Sequence, residues 1–231
     1  MNFYALSALV NIIILTILII VILIKRKESR PLNYFNIFNL FALGWSIGYF
    51  FWQISGSYET ALFWVKFLMF SAMWASPAFF HFTAVIANKE SRLLSWIILS
   101  YMINIPFVYL NFTSPLFISH LETKLDISFF PTAGIFFSVF LFQWAVWLLW
   151  GFSELFRAWK STYDEKQKKL LKNLSITTFV AILAGSVNYF LWYNIPVPPI
   201  TMIVFGIYGI VVAYLLLKKN FGKRERSPSK R

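Results

Sequence analysis

Few residues in this chain combine the types and spacing that chemistry needs. His81 and His120 are far apart, and there is no H-E-x-x-H, no G-x-S-x-G and no glycine-rich phosphate loop. With no cysteine anywhere, a disulfide frame and a thiolate metal site are both excluded. Asp164 and Glu165 are adjacent within a basic segment, and Glu122 and Asp126 are spaced for one face of a helix. Both pairs read as solvated surface charge. Residues 200–217 contain no lysine, which removes a retinal Schiff base in the last apolar run. The expectation is a chain without catalytic residues, cofactor or metal.

What stands out instead is polar groups set inside long apolar runs. Ala61 to Asn88 is long and apolar enough to cross a bilayer, yet it holds Lys66, Pro77 and His81. Lys66 is about five residues from one end, roughly 7 Å along a helix, within reach of the interface. Its plain role is to snorkel there, and its functional one is counter-ion to an acidic or carbonyl-bearing ligand. His81 is either a neutral imidazole bonded to the next helix or a proton-sensitive element. Lys66, Phe70, Met73, Pro77 and His81 step by three or four residues and share one side of a helix, which burial against other helices suits better than lipid. Asn188, with Gly185 and Ser186, forms a second polar spot. A cavity lined by Lys66, Trp64, Trp74, Asn188 and Trp192 is conceivable, while aromatic abundance alone reads as lipid contact.

The elements that position these groups follow from composition. The 231 residues are 59% hydrophobic and 13% charged with mean hydropathy +0.66, too apolar for a soluble domain. The expected fold is all-α: a polytopic integral membrane protein with a seven-transmembrane-helix bundle in one domain, residues 1–219. Spans are expected at about 3–24, 32–55, 61–88, 93–112, 132–156, 173–193 and 200–217, followed by a basic cytoplasmic tail at 220–231. The first run has Lys25-Arg26-Lys27 after it and no small-residue cleavage site, so it reads as a retained helix. Its Asn11 is expected to bond to a neighbouring helix. Gly44 and Gly48 have the small-x-x-x-small spacing that allows close helix approach, either within the bundle or in a homodimer. Pro77 and Pro106 are expected bending points. Residues 113–131 form the longest polar connection and the external loop large enough to cover a pocket, and residues 157–172 read as a charged cytoplasmic loop.

Charge sets the orientation. All but Lys66 and Lys124 of the 21 Lys and Arg residues lie in segments that this topology puts inside, so the N-terminus is expected outside and the C-terminus in the cytoplasm. The net charge of +12 is clustered between apolar runs, a pattern that fits loops meeting anionic lipid and gives no reason to expect nucleic acid. The expected location is the inner (plasma) membrane, crossed several times.

Three groups of residues carry a family resemblance. Trp45-x-x-Gly48-Tyr49-Phe50, Phe63-Trp64-x-Lys66-Phe67 and Pro77-x-Phe79-Phe80-His81-Phe82 resemble the N-terminal seven-helix sensor region of bacterial histidine kinases. Lys168-Lys169-Leu170-Leu171 and Lys218-Lys219-Asn220-Phe221 fit as well, so the resemblance runs from about residue 5 to 222. It implies a sensory module placed ahead of cytoplasmic signalling domains, and no ligand residues. The chain departs from such kinases after its last helix, where no phospho-acceptor histidine segment follows. Two expectations result: a stand-alone sensor half working through a cytoplasmic or membrane partner, or the membrane part of a truncated kinase or cyclase. A small transporter or channel, or a membrane assembly subunit, is the competing reading. The absence of paired broken helices speaks against alternating access.

Overall fold

The computed structural model describes residues 2–25, 29–199 and 203–224, with side chains of the last helix as far as Lys218. Arg26 and Lys27 of the first basic loop, Ile200 at the expected start of the seventh span, and residues 225–231 of the tail lie outside the described residues. Among those described, helices α1 (Phe3–Lys25), α2 (Arg30–Gln53), α3 (Tyr58–Ile86), α4 (Glu90–Met102) and α5 (Asn104–Thr113) precede a hairpin of β1 (Ile118–Lys124) and β2 (Ile127–Ala133). Helices α6 (Ile135–Ser161) and α7 (Glu165–Val187), a 3-10 turn (Phe190–Tyr193) and α8 (Ile203–Arg224) complete the bundle.

Five helical segments are long and apolar enough to cross a membrane: α1, α3, α4 with α5, α6, and α7 with the 3-10 turn. α2 has the length, but Asn33, Asn36, Asn39 and Gln53 make it more polar. In α8 the apolar part is Ile203–Lys218.

α3 is the most buried of the five segments and packs against α2, α4, α5, α6 and both strands. Its start is capped by Ser57, whose Oγ accepts from the Thr60 amide. Its end is a Schellman motif: Asn88 turns left-handed at φ 57, and the Lys89 and Asn88 amides donate to the Ala84 and Val85 carbonyls at 2.8 and 3.1 Å. That tight stop brings α4 straight back along α3.

The two prolines act differently. α3 stays helical through Pro77, whereas the helical run from Glu90 breaks at Ile103, three residues before Pro106. Pro106 has no N–H for the Met102 carbonyl and its ring crowds that turn, so the break falls there. A buried polar chain secures it. The Asn104 amide donates to the Ser100 carbonyl (2.8 Å) and accepts from Gln143 (3.0 Å), and Gln143 accepts from the Trp147 indole (2.7 Å). The expected helical bond from α1 also forms, Asn11 Nδ2 donating to Ser46 Oγ at 2.8 Å.

The all-α expectation needs one correction. The connection after α5 is a two-stranded antiparallel hairpin, turned at Leu125 and Asp126, both with positive φ as a two-residue type I′ turn requires. Glu122 and Asp126 therefore lie on a strand and in a turn, not on one helix face. Phe117, Ile118, Leu121, Ile127 and Phe130 turn inward and are fully covered. The hairpin closes on α6 at Gly134, where a Cβ would sit 2.2 Å from the Leu116 carbonyl oxygen.

The segment expected as a charged loop is mostly helix. α6 continues to Ser161 and α7 starts at Glu165, with Asp164 Oδ1 accepting from the Lys166 amide at 3.0 Å as its cap. α8 likewise runs to Arg224, into the stretch expected as tail.

Candidate functional site

The polar groups of α3 fall into two separate places at its two ends. Lys66 and His81 are about 22 Å apart along the helix. At the hairpin end, Lys66 Nζ donates to the Phe112 carbonyl at 3.0 Å, and Asn111 Nδ2 donates back to the Lys66 carbonyl at 2.8 Å. The lysine thus sits where the last carbonyls of α5 lack helical partners and carry partial negative charge. It fastens α5 to α3.

At the other end His81 lies between Tyr34 of α2, with ring centroids 4.0 Å apart, and Glu90 of α4, Nε2 to Oε1 3.4 Å. Glu90 also accepts from Arg30 at 2.6 Å and from the Tyr34 hydroxyl at 3.3 Å. Its neighbour Lys89 points the opposite way, to Glu154 of α6 at 2.7 Å. Glu154 is nearly fully covered and also accepts from Arg157 (3.1 Å) and the Trp150 indole (3.3 Å). Two consecutive residues of the α3–α4 turn therefore hold α2 and α6, and the Schellman stop at Asn88 aims them. Glu90 in the first turn of α4 also complements that helix dipole.

Asn188 is buried just after α7, its Nδ2 donating to the Gly185 carbonyl at 3.2 Å. The residues expected to share a cavity are spread out. Trp64 stacks on Phe51, Trp74 lies against Phe41 and Tyr101, and Trp192 stacks on Phe137. Gly44 and Gly48 face α3 of the same chain, opposite Ser71 and Leu68.

The structure holds a space elsewhere, a partly open cavity of about 80 Å³ between α2, α3, α6, α7 and α8. Its walls include Phe38, Trp45, Phe79, Trp144 and Phe205, with the hydroxyls of Ser76, Thr178 and Tyr208. Sequence reading passed over it because alanines and a serine at helical spacing look like ordinary core.

The hairpin covers one end of the bundle. The Trp52 indole donates to the Phe129 carbonyl at 2.9 Å, and buried Lys124 donates to the Leu191 carbonyl at 3.2 Å and pairs with Glu122 at 3.3 Å. Burial holds the Lys124 ammonium below the usual lysine range. The Thr132 hydroxyl, then Lys124, hold the Glu122 carboxyl below the usual carboxylate range.

The description of the N-terminal 7TM region of histidine kinase matches residues 7–223, nearly the whole chain. The chain belongs to that family. The histidine-kinase 7TM region is the sensor part of such proteins, not the catalytic part. Among curated proteins no match is found. In this member of the family, Arg30, Glu90 and Glu154 were absent from the residues that sequence reading singled out. An acid within an apolar helix calls for a cation, and the one near it in sequence is Arg157; nothing local points to Lys89.

Proposed function

We propose that the chain is a non-catalytic sensory module that crosses the inner membrane seven times and relays a stimulus from outside or from the bilayer to a cytoplasmic signalling partner. The observation that carries this reading is the family match over residues 7–223. The geometry supports it in two ways. The hairpin covers one end of the bundle, and α3 runs from beneath it to the charged turn at the other end, where α2, α4 and α6 meet. α8 then continues as one helix past its apolar part, from Lys218 to Arg224, a stiff connection to whatever follows. A stimulus that favours one packing of α3 over another changes the pairing at Lys89 and Glu90 and the position of the helices they hold.

Orientation is expected to follow the basic residues, with the hairpin outside and the α3–α4 turn in the cytoplasm. The chain contains no cysteine, so single introduced ones report it directly. Gly56→Cys, where a side chain meets open space, is expected to react with a membrane-impermeant maleimide on intact cells. Tyr163→Cys, at a site 97% exposed, is expected to react only after permeabilisation. The reverse pattern overturns the orientation.

Signalling is tested by fusing a kinase catalytic region after Lys219. Autophosphorylation is expected to change with medium or membrane composition, and Glu90→Ala is expected to shift the basal level. Constant output under all such conditions, together with net solute flux in proteoliposomes, would replace the sensory reading with transport.

A further inference from the structure

The cavity between the five helices has the chemistry of a ligand site. It exists because Ala42, Ala72, Ala75, Ala181 and Gly185 present small groups where five helices converge, and the aromatic walls hold the helices apart. No Lys, Arg, Asp or Glu lines it, so an ion entering it would lose hydration without a counter-charge. Among its polar groups, the Thr178 and Tyr208 hydroxyls face each other at 3.4 Å. Ser76 is different. It is 0% exposed, lines the cavity, and its Oγ has no hydrogen-bond partner.

That isolation is unusual for a hydroxyl inside a helix, which ordinarily donates to the carbonyl four residues back. Ser71 does so to Phe67 on the same helix, Ser46 to Ala42, and Ser186 to Ile182, while Ser175 of α7, which does not line the cavity, is unpartnered like Ser76. Ser76 leaves the equivalent bond unmade next to Pro77, and an unpartnered buried hydroxyl calls for a polar atom from something absent. The space is about half the 150 Å³ hole that takes benzene, so the part of an occupant held within it is roughly four non-hydrogen atoms.

We propose that this cavity binds a small uncharged molecule, mostly apolar and carrying one hydrogen-bonding group that pairs with the Ser76 hydroxyl. Such a molecule dissolves in the bilayer and reaches the bundle centre from there, in contact with α3 one turn past its midpoint. The inference deepens the sensory reading by naming the stimulus class, and it rests on that reading only for the consequence of binding.

The probe is 2-bromoethanol, with 1-bromopropane as its partner of equal heavy-atom count lacking the hydroxyl, added to the purified full chain in nanodiscs. Bromine quenches tryptophan on contact, and Trp45 and Trp144, two of the ten tryptophans, are in the wall. Quenching is expected to contain a saturable part that Ala181→Leu, whose added volume fits the space, removes. Ser76→Ala is expected to weaken 2-bromoethanol about five-fold and leave 1-bromopropane unchanged. Circular dichroism checks that the variants fold, and Ala72→Leu replaces Ala181→Leu should that variant fail. Strictly linear quenching of the wild-type chain, saturable quenching that survives the filling variant, or equal weakening of both probes by Ser76→Ala overturns the proposal. Because binding is read without an output domain, linear quenching beside a responsive kinase fusion would remove the site and leave the sensory reading standing. Saturable quenching beside an unresponsive fusion would support the site and remove the sensory reading.

Discussion

Lys89→Met is expected to destabilise the bundle by about 2–3 kcal/mol, and Glu154→Gln by about 1 kcal/mol. The asymmetry comes from which partner is trapped. The Glu154 side chain is 5% exposed, while Lys89 is 29% exposed and Arg157 is 66% exposed. Removing the lysine leaves a covered carboxylate with the Trp150 indole and one arginine that spends most of its surface in solvent. Removing the carboxylate's charge instead leaves two cations that can turn toward the interface, and glutamine still accepts from the indole. The cost for Lys89 falls below that of breaking a fully buried pair because its side chain is part-exposed. Unfolding of the reconstituted chain, followed by added SDS or by steric trapping, measures both. A larger loss for Glu154→Gln than for Lys89→Met would show that Glu154 is hydrated in place and that Lys89 does not anchor α6.

The same pair marks the limit of what the sequence made legible. Long apolar runs separated by basic clusters identified the helical membrane character, because both follow from the cost of putting polar backbone and charge in hydrocarbon. Pro106 identified the break between α4 and α5 to within three residues, since a missing N–H acts locally. Glu154 was hidden by its surroundings: amid Trp147, Trp150, Phe152 and Phe156 it read as part of an aromatic span, and its partner is 65 residues away. Distant pairing leaves no local trace.

The start of α7 was missed for a different reason. Lys166, Lys168, Lys169 and Lys172 look like a loop when apolarity is the criterion, but a helix that begins outside the bilayer does not need apolar residues there. The cap at Asp164, with Glu165 in the first turn, was the better signal. The hairpin was missed because the residues around Leu125 and Asp126 have little intrinsic turn preference beyond Asp126 itself. Its strands are held mainly by packing of Phe117, Leu121 and Phe130 on the bundle end, a tertiary effect. For the site, Lys66 and His81 were legible as polar anomalies in α3. Their partners, the Phe112 carbonyl and Glu90, depend on how α4 and α5 return along α3, which one helix cannot reveal.

Two glycines in α2 allow a sharper experiment on how α3 is held. Gly44 and Gly48 were equivalent by spacing, yet a methyl group at each meets different neighbours. At Gly48 it would lie 2.8 Å from the Leu68 Cα and backbone nitrogen, which cannot retreat without moving α3. At Gly44 it would lie 2.6 Å from Ser71 Oγ, a side-chain atom that a change of rotamer removes. Gly48→Ala is therefore expected to cost about 3 kcal/mol, and Gly44→Ala less than about 1 kcal/mol, the latter reflecting only the lost Ser71 bond to Phe67. Alanine's better helix propensity acts equally at both positions and cancels in the comparison. The same unfolding measurement separates them. Because the strain at Gly48 pushes α3 away from α2 above the cavity, that variant is also expected to change the output of the kinase fusion at conditions where it still folds. Gly44→Ala should not. Equal costs for the two substitutions would mean that the seam can open freely, and then α3 is not clamped by α2 at Leu68 but only by the charged turn at its far end.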